Sequence, residues 1–285
     1  MPRPASSARR GAVSYLLVAL GSVALGAAGA LWLRHDTATP PDEHQHADAP
    51  RHDAVTTHGE WVTYARGTDS IRAYVAYPER KTKAPAVIVI HEIFGLTEWE
   101  PTVADRLAKS GYVAIVPDLL SSKFGRSPAT TDSGRKLIAQ LEPDRITQDL
   151  DATISWLAAQ PAVNGDRVAV MGFCWGGGQT FRYATNNPKL AAAVVCYGPA
   201  PADTLAQTRI TAPVLGVYGE NDARINAALP EVKARLAGAG VRFTDRIYPG
   251  TGHGFLKPGR AGSDGPQVEI AWGDILTFYR THLDR

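Results

Sequence analysis

Three residues of the sequence, Cys174, Asp222 and His253, are of types that could share one piece of chemistry. Cys174 stands in the stretch Arg167 to Gly178, RVAVMGFCWGGG, which reads as an apolar β-type run, a Gly-x-Cys-x-Gly turn and a glycine-rich opening to a helix. A nucleophile lifted to the tip of such a corner sits in a strained backbone, and Gly172 and Gly176 let neighbouring chain approach without a Cβ in the way. The free N–H groups and positive end of the following helix favour a thiolate and a developing oxyanion at that point. As a thiolate, Cys174 would attack an acyl carbon. His253, flanked by Gly252 and Gly254, would take the thiol proton and later activate water, while Asp222 would orient the imidazole and stabilise its charged form. Each residue has a plainer role open to it: Cys174 as a buried packing cysteine, His253 as a surface-loop histidine, and Asp222 as a turn former with Glu220 as the competing acid. A serine-type esterase is set aside, because no serine occupies position 174.

These residues need a frame that brings distant points of the chain to one edge. Trp61 to Ala65 and Ile71 to Tyr77 read as an antiparallel hairpin around Gly67-Thr68-Asp69. Strands are expected over Ala84 to His91, Tyr112 to Pro117, Val168 to Gly172, Ala191 to Tyr197, Pro213 to Tyr218 and Arg242 to Tyr248. Helices are expected over Glu98 to Ser110, Pro143 to Ala159, Gly176 to Asn186, Ala223 to Ala239 and Val268 to Leu283. Near-continuous apolar strands such as APAVIVI and VAVMGF imply burial on both faces, and their alternation with helices implies a doubly wound, mostly parallel sheet flanked by helices. Working residues of such a sheet lie beyond the carboxyl ends of the strands. Cys174, Asp222 and His253 each follow a different strand, in the order nucleophile, acid, histidine that α/β-hydrolases use.

The α/β domain is expected over residues 59–285, a length sufficient for a two-sided core. Ahead of it, Arg3, Arg9 and Arg10 precede an uncharged apolar run from Gly11 to Leu33 closed by Arg34. Residues 1–34 therefore read as a signal peptide or an N-terminal membrane anchor, since roughly 20 apolar residues span a bilayer. Ala28-Gly29-Ala30 resembles a small-x-small cleavage site, so both fates stay open. Either one places the domain outside the cytoplasm, in the periplasm or on the extracytoplasmic face of the membrane. Residues 35–58 read as a disordered linker rich in Pro and His, in which His35, His44, His46, His52 and His58 lack the fixed spacing of a metal site. A net charge of +2 gives no electrostatic case for nucleic acid. Cys174 and Cys196 are the only two cysteines; a disulfide between them would silence the nucleophile, so both are expected reduced, with Cys196 a small buried hydrophobe.

The stretches VIVIHEIFGL (87 to 96), VADRLAKSGYVAIVPDL (103 to 119), DRITQDLDATISWLAAQP (144 to 161), RVAVMGFCWGGG (167 to 178), GENDARI (219 to 225) and YPGTGHGF (248 to 255) together resemble the dienelactone hydrolase family, from about residue 60 to 285. The resemblance implies an α/β-hydrolase fold and hydrolysis of small esters or lactones through an acyl-thioester, without cofactor or metal. It also implies a role for Glu92, a glutamate that approaches the cysteine and that substrate displaces so that the thiol becomes a thiolate. The plainer alternative for Glu92 is pairing with a nearby arginine, since a buried carboxylate is costly without a partner. The backbone N–H groups of Ile93 and Trp175 would form the oxyanion hole. His91-Glu92 is not a zinc motif, because Gly95 occupies the place of the second histidine.

Departures from the family bear on substrate. Lys257, four residues after His253, stands where an arginine fixes a lactone carboxylate; it keeps the charge and loses the bidentate fork. A second such arginine has no firm match in the insert Leu119 to Glu142, with Arg126 and Arg135 the candidates, and Leu120 replaces an aromatic. The expected partner is a small ester or lactone, acted on by a monomer. The alternative, from another class, is a catalytically idle tethered domain that binds ligand or senses thiol chemistry.

Overall fold

The computed structural model describes residues 57–284, which fall within one compact unit of the chain. The proposed anchor or signal segment and residues 35–56 of the histidine-rich linker lie outside the described residues, while Thr57 and His58, expected to end that disordered linker, instead pair with Pro78 and Tyr77 in the first hairpin. Among the described residues no helix is long and apolar enough to cross a membrane.

The chain opens with a hairpin of β1 (Thr57–Arg66) and β2 (Asp69–Pro78), turning at Gly67-Thr68 as expected. It continues through β3 (Ala84–Ile90), α1 (Trp99–Lys109), β4 (Val113–Pro117), α2 (Ser121–Phe124), α3 (Thr131–Ile138), α4 (Pro143–Ala158), β5 (Val163–Phe173) and α5 (Trp175–Asn186). The last part comprises β6 (Ala192–Cys196), α6 (Thr204–Gln207), β7 (Val214–Gly219), α7 (Ala223–Asn226), α8 (Leu229–Gly238), β8 (Phe243–Tyr248) and α9 (Gln267–Leu283). The eight strands form one sheet in the order β1-β2-β4-β3-β5-β6-β7-β8. β1, β2 and β4 pair antiparallel in succession, and every pairing from β4 to β8 is parallel.

The apolar runs earn their central position. Every residue of β3, β4 and β6 is buried, and alternate residues feed two cores. Ile88, Ile90, Val170 and Val195 pack with Leu150 of α4 and Phe181 of α5. Val87, Val89, Met171 and Val194 pack with Leu107 of α1 and with Ile275 and Tyr279 of α9. Burying such side chains is worth about 1.5–3 kcal/mol each.

Three parts differ from the expectation. The insert after β4 carries two short helices, α2 and α3, the second started by Thr130, whose hydroxyl accepts from Ser133 N. The helix expected over Ala223 to Ala239 is broken into α7 and α8: Pro230 lies in the first turn of α8, where its missing N–H costs nothing and from which no helix can be continued backward. The short α6 has its own cap, with Ala206 N donating to the Asp203 carboxylate, a signal too local for periodicity to reveal.

Candidate active site

The parallel strands deliver their carboxyl ends to one edge. Ile90 pairs with Gly172, Phe173 with Cys196, Cys196 with Val217, and Gly219 with Tyr248. The loops after β3, β5, β6, β7 and β8 therefore gather there.

Cys174 follows β5 and caps α5, with φ 56° and ψ −114°. A non-glycine residue at positive φ is held only when its surroundings over-determine it, at a cost of about 1–3 kcal/mol. The surroundings here are Cys174 N donating to Cys196 O at 3.0 Å and Gly178 N donating to Cys174 O at 3.2 Å. The two glycines of the turn are required by contact rather than by dihedral: a Cβ on Gly176 would stand 2.3 Å from His91 O, and one on Gly172 would stand 2.3 Å from Gly176 O. α5 thus enters against the backbone of the loop after β3.

That loop presents Glu92, Ile93 and Phe94. His91 is buried; Leu119 N donates to its Nε2 at 3.3 Å, which leaves Nδ1 to donate to Glu92 O at 2.8 Å, and its ring stacks on Trp175. It braces the loop against the start of α5. Ile93 N finds no acceptor among the described residues, and Trp175 N–H points to the Cys174 sulfur. Both expected oxyanion donors are unengaged by carbonyl groups. The Glu92 carboxylate, 3% exposed, is paired with Lys257 Nζ at 2.7 Å. The pairing foreseen with an arginine is made by lysine instead, and the Lys257 ammonium also lies over the rings of Phe94 and Trp99.

The acid and histidine loops are laced together. Glu220 N donates to Tyr248 O and Asn221 N to Thr251 O. Glu220 turns its carboxylate to Gly250 N, while the buried Asp222 accepts from His253 Nδ1 at 2.5 Å. Asp222, not Glu220, is therefore the acid on the imidazole. Tyr197, the residue after β6, joins this pair to the thiol: its ring meets the His253 ring edge-on at 5.2 Å, and its hydroxyl lies within electrostatic reach of Cys174 and Glu92. Tyr197 also has positive φ, 42°. Sequence reasoning missed it, although its place at the end of a parallel strand was the same signal that marked the other three.

Burial and the Glu92 charge push the Cys174 thiol up from its ordinary range, outweighing the Trp175 N–H and the guanidinium groups of Arg224 and Arg260. The sequence argument that the helix end favours a thiolate named a real influence that loses to desolvation. The fold therefore favours the thiol over the thiolate at Cys174. Cys196 is fully buried, and both cysteines are free.

The candidate substrate-binding residues separate. Lys257 is committed to Glu92, Arg135 stacks over Phe94 beside Arg260, and Arg126 lines a cavity that contains none of the residues above. Among the described residues no cluster of histidine, cysteine and carboxylate side chains could hold a metal ion.

The arrangement has close parallels. The chain matches the model of the dienelactone hydrolase family over residues 71–283. It is 34% identical over 227 residues to a Salmonella typhimurium protein named "Putative carboxymethylenebutenolidase", covering 74% of this chain and 83% of that one. It is 30% identical to a Bradyrhizobium protein named "Probable 2-oxo-3-(5-oxofuran-2-ylidene)propanoate lactonase", covering 79% and 94%. The crystal structure titled "Putative Dienelactone Hydrolase" from Klebsiella pneumoniae superposes with a TM-score of 0.72 at 29% identity, covering 79% of this chain and 98% of that one. With a cysteine elbow, an acid–histidine pair and a buried glutamate assembled at the edge of this sheet, the chain belongs to the dienelactone hydrolase family and is a hydrolase of the α/β-hydrolase fold.

Proposed function

We propose that the protein hydrolyses small lactones or esters through an acyl-thioester on Cys174, with His253 and Asp222 as base and orienting acid. The observation that carries this reading is the strained Cys174 backbone at the start of α5, on the same sheet edge that carries the hydrogen-bonded Asp222–His253 pair.

The resting thiol and the Glu92–Lys257 pair suggest how the reaction starts. A substrate carboxylate that engages Lys257 competes with Glu92 for the ammonium, and the released Glu92 takes the thiol proton. The thiolate sulfur then forms a bond to the acyl carbon, and the carbonyl electron pair moves to oxygen, which the Ile93 and Trp175 N–H groups receive. Collapse restores the carbonyl and breaks the ring or ester C–O bond; the departing oxygen takes the proton held by the Glu92 carboxyl. His253 next withdraws a proton from water as it attacks the thioester, and Asp222 stabilises the imidazolium formed. The thiolate leaves and is reprotonated. Lactones bearing a carboxylate, as in the names of the relatives, are the substrate class that this start requires.

Hydrolysis of a panel of nitrophenyl esters and a dienelactone by the full chain, beside Cys174→Ala, tests the reading. Turnover lost in the variant is expected. Turnover of all substrates retained by Cys174→Ala overturns it, and no turnover by the reduced protein favours the idle or thiol-sensing alternative. We further propose that this chemistry takes place outside the cytoplasm, on the strength of Gly11 to Leu33 following Arg3, Arg9 and Arg10. Fractionation with N-terminal sequencing tells anchor from cleaved signal, and a cytoplasmic pool of intact chain contradicts both.

A further inference from the structure

A cavity of about 730 Å³ among the described residues is not lined by the thiol, the imidazole or Glu92. Its wall is formed by Trp61 of β1, Arg72 of β2, residues 96–98 and Pro101 around the start of α1, and residues 126–129 of the loop before α3. Its size is that of small-molecule sites.

Two of its residues are guanidinium groups without an acid. Arg72 lies with its guanidinium carbon 3.5 Å from the centre of the Trp61 ring, and it makes no ion pair among the described residues; nor does Arg126. The backbone of Arg72 and Ser127, the neighbour of Arg126, are both held by one buried residue, Asp118. Asp118 N donates to Arg72 O at 2.8 Å, and the Asp118 carboxylate accepts from Ser127 N and Ser127 Oγ at 2.6 Å each. Ser121 Oγ accepts from Arg72 N, and Ser127 Oγ in turn accepts from Leu96 N, joining three walls. Asp118 is thereby saturated with local donors and does not neutralise either arginine. Leu96, Pro101, Pro128, Ala129 and the half-exposed Trp61 supply an apolar surface, with Thr97, Glu98 and Ser127 the other polar residues of the wall.

We propose that this cavity is a second binding site, for a small organic carboxylate with a flat apolar body. Two guanidinium forks that need no existing ion pair broken suit a planar carboxylate, and the apolar wall suits an aryl or alkenyl group. Glu98 on the wall opposes a multiply charged ligand and so selects a monoanion over a phosphate. The site is independent of the catalytic reading.

Titration calorimetry of 1-naphthoate into the full chain, with 1-naphthalenemethanol as the uncharged counterpart, tests it. The expected result is a dissociation constant near or below about 1 mM. The alcohol and the Arg72→Gln/Arg126→Gln double variant should each bind about tenfold more weakly or worse, whereas Lys257→Gln should bind like the wild type. Arg126→Gln alone, on an exposed loop, gives a smaller loss in the same direction and stands in if the double variant has a lowered thermal midpoint. No binding at about 10 mM, equal affinity for acid and alcohol, or a loss confined to Lys257→Gln overturns the proposal, the last by placing the ligand at the thiol site.

Discussion

Gly176→Ala should dismantle the elbow while adding one methyl group. The new Cβ would lie 2.3 Å from His91 O and 2.5 Å from Ile90 O, about 1 Å short of the 3.4 Å at which ordinary contact begins. Neither oxygen can yield, because both belong to backbone at the end of β3, where Ile90 is paired with Gly172 in the sheet centre. The start of α5 must withdraw instead, carrying Cys174 and the Trp175 N–H with it. Overpacking of this kind costs about 1–3 kcal/mol, from which the better helix propensity of alanine returns up to about 1 kcal/mol. For a domain of this size a net loss of about 2 kcal/mol lowers the thermal midpoint by roughly 4–8 °C. The catalytic effect should be larger, since displacement of a reacting group by about 1 Å costs on the order of 100-fold in rate. Thermal unfolding and ester turnover on the same preparation measure both. Gly273→Ala is the control: it sits in α9 with open space around its would-be Cβ, and should raise stability by up to about 1 kcal/mol without touching turnover. A Gly176→Ala protein with the wild-type midpoint and full turnover would refute the steric argument, and with it the claim that the β3 loop sets the position of the thiol.

Three further outcomes follow from the site. Glu92→Gln removes a negative charge that pushes the Cys174 thiol up, so alkylation by iodoacetamide should begin at lower pH than in the wild type; because Cys196 is fully buried, the native rate reports Cys174 alone, and an unmoved or upward-shifted profile contradicts the assignment. Asp222→Asn should lower kcat by as much as about 10⁴-fold by releasing the imidazole, whereas Glu220→Gln, which holds only Gly250 N, should stay within about tenfold; steady-state kinetics that rank them the other way reassign the acid. Lys257→Met leaves Glu92 buried without a partner and should destabilise the fold by about 3–5 kcal/mol in denaturant unfolding, with the loss largely removed in Glu92→Gln/Lys257→Met; equal losses in the single and double variants speak against the pair.

Much of this molecule is determined by local chemistry. Apolar runs such as Ala84 to Ile90 have one use in a water-soluble domain, the centre of a sheet covered on both faces, and their alternation with amphipathic segments leaves few topologies. That made the parallel sheet, and the placement of Cys174, Asp222 and His253 after three of its strands, legible in the sequence. The glycines at 172 and 176 were legible too, because a corner that tight excludes a Cβ whatever lies opposite. What lies opposite was decided only by the tertiary structure. Glu220 and Asp222 are two residues apart and chemically alike; both reach the loop after β8, and only the fold directs the Asp222 carboxylate to the His253 ring and that of Glu220 to Gly250 N. Lys257 and Glu92 are remote in sequence, so a pairing that changes the reading of both had no local signature. Arg126 and Arg135 stand nine positions apart in one insert, yet α3 carries Arg135 to Phe94 while Asp118 holds the Arg126 loop beside another cavity. The state of the thiol is the last such case: a helix end acts on Cys174 from its own neighbourhood, but desolvation and the Glu92 charge come from chain folded over it, and these fields add only once the fold has brought them within a few ångströms.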